Sequence, residues 1–303
     1  MEFDSLTPGH AQEPEEAEVD EGFRESARRA PVSQGSAWAR MTVPVSGAAE
    51  DAAVMDRAGQ LAQVFDAELN VVFAPPDPAE LTPWLGEGFM GTVQMSTIDS
   101  VRAAAEESGD RAEAQFNALS YSNSRYTALK SPVWQDLALE ARLSDLVVFG
   151  DEAARGRGLL SEAFTQVLME ERCGVFIART AVDVEGVAVV AWDGREPSSR
   201  AARRAVPLLK KAARVVIAGA PVGDRSADLE KLDAYYAAHG IAVVYERLPK
   251  GEVGAQLVEV CARHGANYLV AGAFGHSRIR EFTFGGTTRQ LLQHTSVNLY
   301  MAH

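Results

Sequence analysis

The chain has 303 residues, of which 47% are hydrophobic and 23% charged, enough for the cores of about two domains. This composition excludes a wholly disordered chain and a fibrous repeat. The formal net charge of -13 argues against nucleic acid or an anionic membrane surface as a partner. No run of about 18 apolar residues predicts a membrane span. Two cysteines exclude a disulfide scaffold and are compatible with a reducing cytoplasm.

Residues 1–40 differ from the rest of the chain. They contain nine acidic residues and four arginines and show no sustained apolar period. This pattern predicts a disordered acidic tail. Met41 opens the first strand-like run, so it is also an alternative start of the natural chain.

From Met41 onward, β-branched runs alternate with helical stretches rich in Ala, Leu and Arg, a pattern typical of parallel α/β sheets. In the first half we predict, in chain order, strand 41–46, helix 49–66, strand 69–74, helix 98–117, strand 125–129, helix 132–143, strand 145–150, helix 160–171 and strand 174–179. In the second half we predict strand 186–192, helix 197–213, strand 214–219, helix 226–238, strand 241–247, helix 251–264, strand 267–272, helix 286–294 and strand 296–301.

The two halves repeat one plan. A shift of 122 residues lays DLVVFG at 145–150 on NYLVAG at 267–272 without a gap. The sequence therefore predicts two domains, 41–180 and 186–303. The first domain carries about 25 extra residues, which we place at 75–97. This long connection is either a functional loop or an insertion without a function.

In an open parallel sheet, ligands bind beyond the carboxyl ends of strands, where the winding direction reverses. Asp193 and Gly194 follow one predicted strand of the second half. An aspartate in this place can accept from a sugar hydroxyl or an adenine amino group, or bind Mg²⁺ through water. The structural alternative is an ordinary turn, in which Asp193 only caps the helix that follows.

Glycines cluster at the neighbouring strand end. Gly272 and Gly275 allow a tight turn and let backbone N–H groups approach an anion. Gly285 and Gly286 leave the first turn of the next helix uncovered for phosphate, and Thr287 adds a hydroxyl donor. Each feature alone also fits an ordinary loop and cap, but their joint placement favours a nucleotide site.

His276 lies inside this glycine loop. It is either a phosphate donor or a loop residue that faces solvent. The six histidines show no paired ligand spacing, so the sequence predicts no metal site. No Walker motif, nucleophile elbow or other nucleophile–base pair is recognisable, and we predict no catalytic residues.

The string GAFGHSRIREFTFGG resembles the Gly-x2-Gly-x9-Gly-Ser/Thr loop of universal stress proteins, and WDG at 192–194 resembles their Asp-Gly turn. The resemblance covers Met41 to His303 as two tandem domains. It implies ATP or another adenine nucleotide, with Asp193 near the base or ribose and Gly272, Gly275 and Gly285 along the phosphates. It also implies that the backbone around Gly219 lies next to adenine.

The sequence departs from this pattern in two places. Gly286 stands where the family has Ser or Thr, so a hydroxyl contact shifts to Thr287 or is absent. In the first half, Ala153, Ala163 and Phe164 align with Gly275, Gly285 and Gly286, and Ser46 faces Asp193. We expect carbon at these positions to obstruct phosphate, so the first domain is predicted to be degenerate.

These observations predict two doubly wound α/β domains with mainly parallel, five-stranded, Rossmann-like sheets. The resemblance implies strand order 3-2-1-4-5 and an intramolecular pseudo-dimer paired through the last strands, with a homo-oligomer of whole chains left open. The leading hypothesis is a non-enzymatic cytoplasmic stress-response protein that binds an adenine nucleotide in its C-terminal domain. The alternatives are a nucleotide-free scaffold whose partner contact lies at 75–97, and a weak ATP hydrolase.

Overall fold

The computed structural model describes residues 38–75, 92–130, 133–220, 228–273 and 286–303, with side chains from residue 99 onward in the second range. All of these residues fall within one compact unit, 36–303. The acidic stretch 1–37 and the segments 76–91, 131–132, 221–227 and 274–285 lie outside the described residues.

In the first half, five strands alternate with helices. The strands are β1 (Arg40–Val45), β2 (Glu68–Phe73), β3 (Ser124–Ala128), β4 (Leu146–Gly150) and β5 (Val175–Ala178). The helices are α1 (Asp51–Phe65), α2 (Thr92–Asn117), α3 (Val133–Arg142), α4 (Asp151–Ala154) and α5 (Ser161–Met169). The sequence did not predict the short α4, and α2 begins six residues before its predicted start.

The second half repeats this alternation. Its strands are β6 (Val187–Trp192), β7 (Arg214–Gly219), β8 (Val243–Arg247), β9 (Tyr268–Gly272) and β10 (Asn298–Ala302). Its helices are α6 (Glu196–Arg204), α7 (Val206–Leu209), α8 (Leu229–Ala238), α9 (Val253–His264) and α10 (Gly286–His294). The single helix predicted at 197–213 divides after Arg204, because Pro207 has no N–H to continue the hydrogen-bond ladder.

The strands form one ten-stranded sheet in the order β3-β2-β1-β4-β5-β10-β9-β6-β7-β8. Each half therefore has the predicted order 3-2-1-4-5, and all pairs within a half are parallel. The halves meet through β5 and β10, which pair antiparallel with Leu299 opposite Ile177. The predicted fold class is confirmed.

Apolar cores lie on both faces of the sheet, and each core spans both halves. One core contains α1, α6 and α8 with residues such as Leu61, Ala201 and Tyr236. The other contains α3, α5, α9 and α10 with residues such as Phe164 and Leu291. A sheet covered by helices on both faces is the architecture expected of parallel strands with continuous apolar runs.

The packed part of the chain begins before Met41. Trp38 is buried, stacks on Tyr300 with ring centroids 6.2 Å apart, and contacts Phe65. The backbone N–H groups of Ala39 and Arg40 both donate to the Asp145 carboxylate. Residues 38–40 therefore belong to the fold, although the sequence pattern assigned them to the acidic tail.

One buried arginine ties the halves together beside the β5–β10 seam. The Arg179 side chain is 4% exposed, and its Nε donates to Asp151 Oδ1 at 2.6 Å. Its two Nη atoms donate to the carbonyls of Leu291, Leu292 and Thr295 at the end of α10. A cation at a helix C-terminus satisfies carbonyls that lack intrahelical partners. The burial lowers the pKa of Arg179.

We expect Arg179→Met to destabilise the full chain by about 3 kcal/mol, because the carbonyls of α10 and one oxygen of Asp151 would lose their donors. Arg157→Met is the matched control: Arg157 pairs with Glu152 at the surface, and its loss is expected to cost less than about 1 kcal/mol. Urea unfolding measures both variants. Equal losses of stability would contradict a joining role for Arg179.

Candidate functional site

The central strand of the second half separates from one neighbour before it ends. β6 pairs with β7 as far as Trp192 opposite Gly219, but its pairing with β9 stops at Val190 opposite Val270. Both strands run on, to Trp192 and Gly272. The winding reverses between them, so the sheet opens where ligands of such folds bind. We call this opening the C-terminal crevice.

Asp193 lies at the rim of the C-terminal crevice. Its Oδ1 accepts the backbone N–H of Arg195 at 2.9 Å and the Ser198 hydroxyl at 2.6 Å. Its Oδ2 lies 4.0 Å from Arg195 Nε and accepts no hydrogen bond from any residue that the structure describes. The side chain is 33% exposed. Asp193 thus braces the turn before α6 and keeps one oxygen for another donor.

Gly272 lies on the other side of Ser198. A Cβ at Gly272 would come within 2.5 Å of Pro197 C and Ser198 N, in the first turn of α6. The glycine is required because α6 packs directly on the strand end, which is a different reason from access for an anion. Ser198 therefore touches both predicted strand ends, and the structure brings Asp193 and Gly272 to one crevice.

The other glycines of this edge serve backbone geometry. Gly194 has φ +75°, the left-handed region that the turn after β6 needs. Gly219 ends β7 against Leu229, whose Cδ2 lies 2.5 Å from the place of a Cβ. The Gly219 carbonyl accepts the N–H of Leu248, and Trp192 Nε1 donates to the Asp228 carbonyl. Gly219 lies one strand away from Asp193, on the side opposite Gly272.

The helix predicted to receive phosphate begins as expected. α10 starts at Gly286, and Gly286 and Thr287 are both exposed. A Cβ at Gly286 would meet no atom within 4 Å. Gly275, His276 and Gly285 lie outside the described residues, so their predicted roles remain sequence predictions.

The N-terminal half has an equivalent opening. β1 pairs with β4 only at Met41–Leu146 and Thr42–Val147, although β1 continues to Val45 and β4 to Gly150. A cavity of about 260 Å³ lies beyond these strand ends and is lined in part by Ser46 and Gly150. We call it the N-terminal crevice.

The expected obstruction of the N-terminal crevice is wrong for Phe164. The ring is completely buried and packs edge-to-face on Phe149 at 5.4 Å, inside the core under the sheet. Ala163 is also in this core, and of the three aligned residues Ala153 alone lines the cavity. α5 begins at Ser161, so Phe164 falls within its first turn and the helical twist carries the ring inward.

The acidic residue and the hydroxyl residue stand in opposite order at the two crevices. In the C-terminal half Asp193 precedes Ser198 by five residues; in the N-terminal half Ser46 precedes Asp51 by five. Ser46 Oγ donates to Asp51 Oδ2 at 3.3 Å, and the N–H groups of Ser46 and Ala48 donate to the same oxygen. Ser198 and Asp51 were not predicted from the sequence, although an alignment of the two strand ends shows that the acid and the hydroxyl change places.

This exchange moves the carboxylate into the protein. Asp51 is 5% exposed, whereas Asp193 is a third exposed. Burial raises the pKa of Asp51, and hydrogen bonds from Ser46 and Ala48 oppose the shift. The carboxylate of the N-terminal crevice therefore serves the start of α1, and that of the C-terminal crevice is partly available to a ligand.

The thiols offer no reactive group. Burial raises the pKa of Cys261 to about 12 and also raises the pKa of Cys173. Within the described ranges, no three His, Cys, Asp or Glu side chains cluster as a metal site would require. No helix among them is both long and apolar enough to cross a bilayer.

The C-terminal part of the sequence has a family match. Residues 217–303 match the universal stress protein family, a segment that holds the glycine loop but not Asp193. No curated protein sequence matches the chain closely enough to count as a relative.

Solved structures share the fold over most of the chain. A universal stress protein from Archaeoglobus fulgidus is 17% identical with a TM-score of 0.61, covering 87% of this chain and 97% of that one. A functionally unknown protein from Pseudomonas aeruginosa is 14% identical with a TM-score of 0.50, covering 88% and 92%. The chain therefore matches the universal stress protein family over residues 217–303 and has, over nearly its whole length, the fold of a solved universal stress protein.

Proposed function

We propose that this protein binds an adenine nucleotide, ATP or a close relative, in the C-terminal crevice and acts as a cytoplasmic stress-response protein without catalytic turnover. The observation that carries the proposal is Asp193. One of its oxygens is fixed by Arg195 and Ser198, and the other is left for a donor such as a ribose hydroxyl or an adenine amino group. A carboxylate braced in this way has little conformational freedom to lose on binding.

The first turn of α10 is suited to bind the phosphates of the same nucleotide. Its first N–H groups have no intrahelical acceptors, and Gly286 places no side chain over them. The glycine loop 274–285 joins β9 to this helix, and it belongs to the segment with the family match. Mg²⁺ would be held by phosphate oxygens with Asp193 through water, since carboxylate, phosphate and water oxygens are its usual ligands.

The chemistry of the side chains supports binding without turnover. The sequence contains no Walker Gly-Lys-Ser/Thr. The Ser198 hydroxyl donates to Asp193 Oδ1, but Ser198 is only 6% exposed and this bond holds the turn before α6. Asp193 is the nearest candidate base, but one of its oxygens holds the turn before α6. Slow hydrolysis would show as phosphate release that Asp193→Ala abolishes.

Asp193→Asn is expected to weaken ATP binding about tenfold to a hundredfold, the effect of losing one hydrogen bond to a charged group. Asparagine keeps Oδ1 as an acceptor for Arg195 and Ser198 but replaces Oδ2 with a donor. The matched control is Asp51→Asn, the equivalent carboxylate of the other crevice, which should leave ATP affinity unchanged. Isothermal titration of the full chain with ATP, ADP and cyclic AMP measures both.

Native mass spectrometry of the purified chain gives an independent check through any co-purified nucleotide. If the wild type neither carries a nucleotide nor binds one in titration, the nucleotide proposal fails and the scaffold hypothesis takes its place. If Asp193→Asn and Asp51→Asn behave alike, the nucleotide does not contact Asp193.

Gly286→Ser is expected to raise ATP affinity several-fold. The position has open space, and a serine there would add a hydroxyl donor at the start of α10 worth about 1 kcal/mol. Gly286→Ala is the control, because it adds the Cβ without the hydroxyl. Isothermal titration with ATP measures the affinity of both variants. If ATP affinity rises in both variants, or in neither, the serine hydroxyl does not contribute to phosphate binding.

A further inference from the structure

The N-terminal crevice is a partly open cavity that the nucleotide proposal does not use. Its volume of about 260 Å³ lies at the strand ends where the first sheet opens. Ligand pockets of proteins begin at about 300 Å³, so this space suits a compact molecule. The switch point of a doubly wound sheet is also where ligands bind in such folds.

One wall of the N-terminal crevice is apolar. Pro44 at the end of β1, Val54 on α1 and the pair Leu159–Leu160 before α5 line it. Val54 and Leu160 are almost fully buried, whereas Leu159 is 55% exposed although its side chain is large and apolar. The crevice can therefore remove an apolar group of a ligand from water.

Most charged groups around the space have partners within the protein. Both oxygens of Asp151 are taken, one by Arg155 and one by Arg179. Arg157 pairs with Glu152 at 2.6 Å. Two arginines share Asp151, so these five side chains together carry a net charge of +1; of them, Asp151, Glu152 and Arg157 line the space and Arg155 and Arg179 do not.

Three lining charges remain: Glu50, Asp51 and Arg57. Arg57 Nη1 donates to the Ala178 carbonyl at 3.2 Å. The Glu50 side chain has no hydrogen bond or ion pair within the described part of the chain. Asp51 accepts its three hydrogen bonds on Oδ2, and its Oδ1 accepts none from the same set of residues. The remaining lining charges are thus two carboxylates and one guanidinium, and Asp51 is 5% exposed with one oxygen that accepts no hydrogen bond from the described residues.

Carboxylates of the protein itself lie at two of the helix starts of this crevice. The Asp51 carboxylate binds the N–H groups before α1, and Asp151 and Glu152 are the first residues of α4. A phosphate here would be repelled by these carboxylates, whereas α10, the helix that follows the other crevice, begins with a glycine and has no carboxylate in its first turn. We therefore expect the crevice to bind polyanions poorly.

We propose that the N-terminal crevice is a second ligand site, which takes a compact amphipathic cation: a primary amine or guanidinium on a short apolar frame. The cationic group lies between Glu50 and Asp51 Oδ1, and the apolar frame lies against Pro44, Val54 and Leu159. The two halves of the chain then recognise ligands of opposite charge at equivalent strand ends.

Phenethylamine tests the proposal, because it joins an ammonium group to a small ring. Its neutral and anionic counterparts, 2-phenylethanol and phenylacetate, keep the ring and change the charge. Ligand-observed NMR and isothermal titration of the full chain should show binding of the amine and at least tenfold weaker binding of the alcohol and the acid. No binding of the amine, or equal binding of all three, would overturn the proposal.

Three variants test whether the amine binds in the N-terminal crevice. Glu50→Gln and Asp51→Asn each remove one charge and should weaken amine binding at least fivefold, and Ala53→Phe should block the mouth of the crevice, because Ala53 is exposed and lines it. Asp193→Asn in the other crevice is the control and should leave amine binding unchanged. Because Glu50 and Ala53 are exposed, these two variants still decide the test if Asp51→Asn does not fold. Unchanged amine affinity in Glu50→Gln and Ala53→Phe would refute the site.

Saturating ATP during the amine titration separates this proposal from the nucleotide proposal. Amine binding that persists in ATP supports two sites, whatever the outcome of the ATP experiments. Full competition between ATP and the amine would mean one shared site and would overturn the proposal of a second one.

Discussion

In each half of this protein, the central strand stops pairing with one neighbour before either strand ends. β1 leaves β4 after Thr42, and β6 leaves β9 after Val190. Asp193 and Gly272 lie at one opening, and Ser46 and Asp51 lie at the other, because the helices that follow the two central strands begin there. Without the separation, the strand ends would be closed by ladder hydrogen bonds and the sheet would have no crevice.

One acid–hydroxyl hydrogen bond then gives the two openings different chemistry. The bond joins the residue after the central strand to a residue five positions later in both halves. When the acid comes first, as Asp193, one of its oxygens is left at the crevice. When the acid comes second, as Asp51, it is buried at the start of α1. Both halves keep the turn after the central strand, but only the C-terminal half keeps a partly exposed carboxylate there.

The helix α10 ends beside the wall of the N-terminal crevice. Its last carbonyls bind Arg155 and Arg179. Both arginines also hold Asp151, which lines the N-terminal crevice. The same ion-pair cluster thus stabilises the seam between the halves and part of the wall of the N-terminal crevice.

The sequence determined the alternation of strands and helices, the two-fold repeat, and Asp193 and Gly272 as neighbours at one sheet edge. These follow from apolar periodicity and from the topology of parallel sheets, which need no knowledge of long-range contacts. The tertiary structure decided why Gly272 must be glycine, because α6 packs on it, and it placed Phe164 in the core. It also decided the roles of Ser198, Asp51 and Arg179, because a hydrogen bond or ion pair depends on where the packed helices carry each side chain.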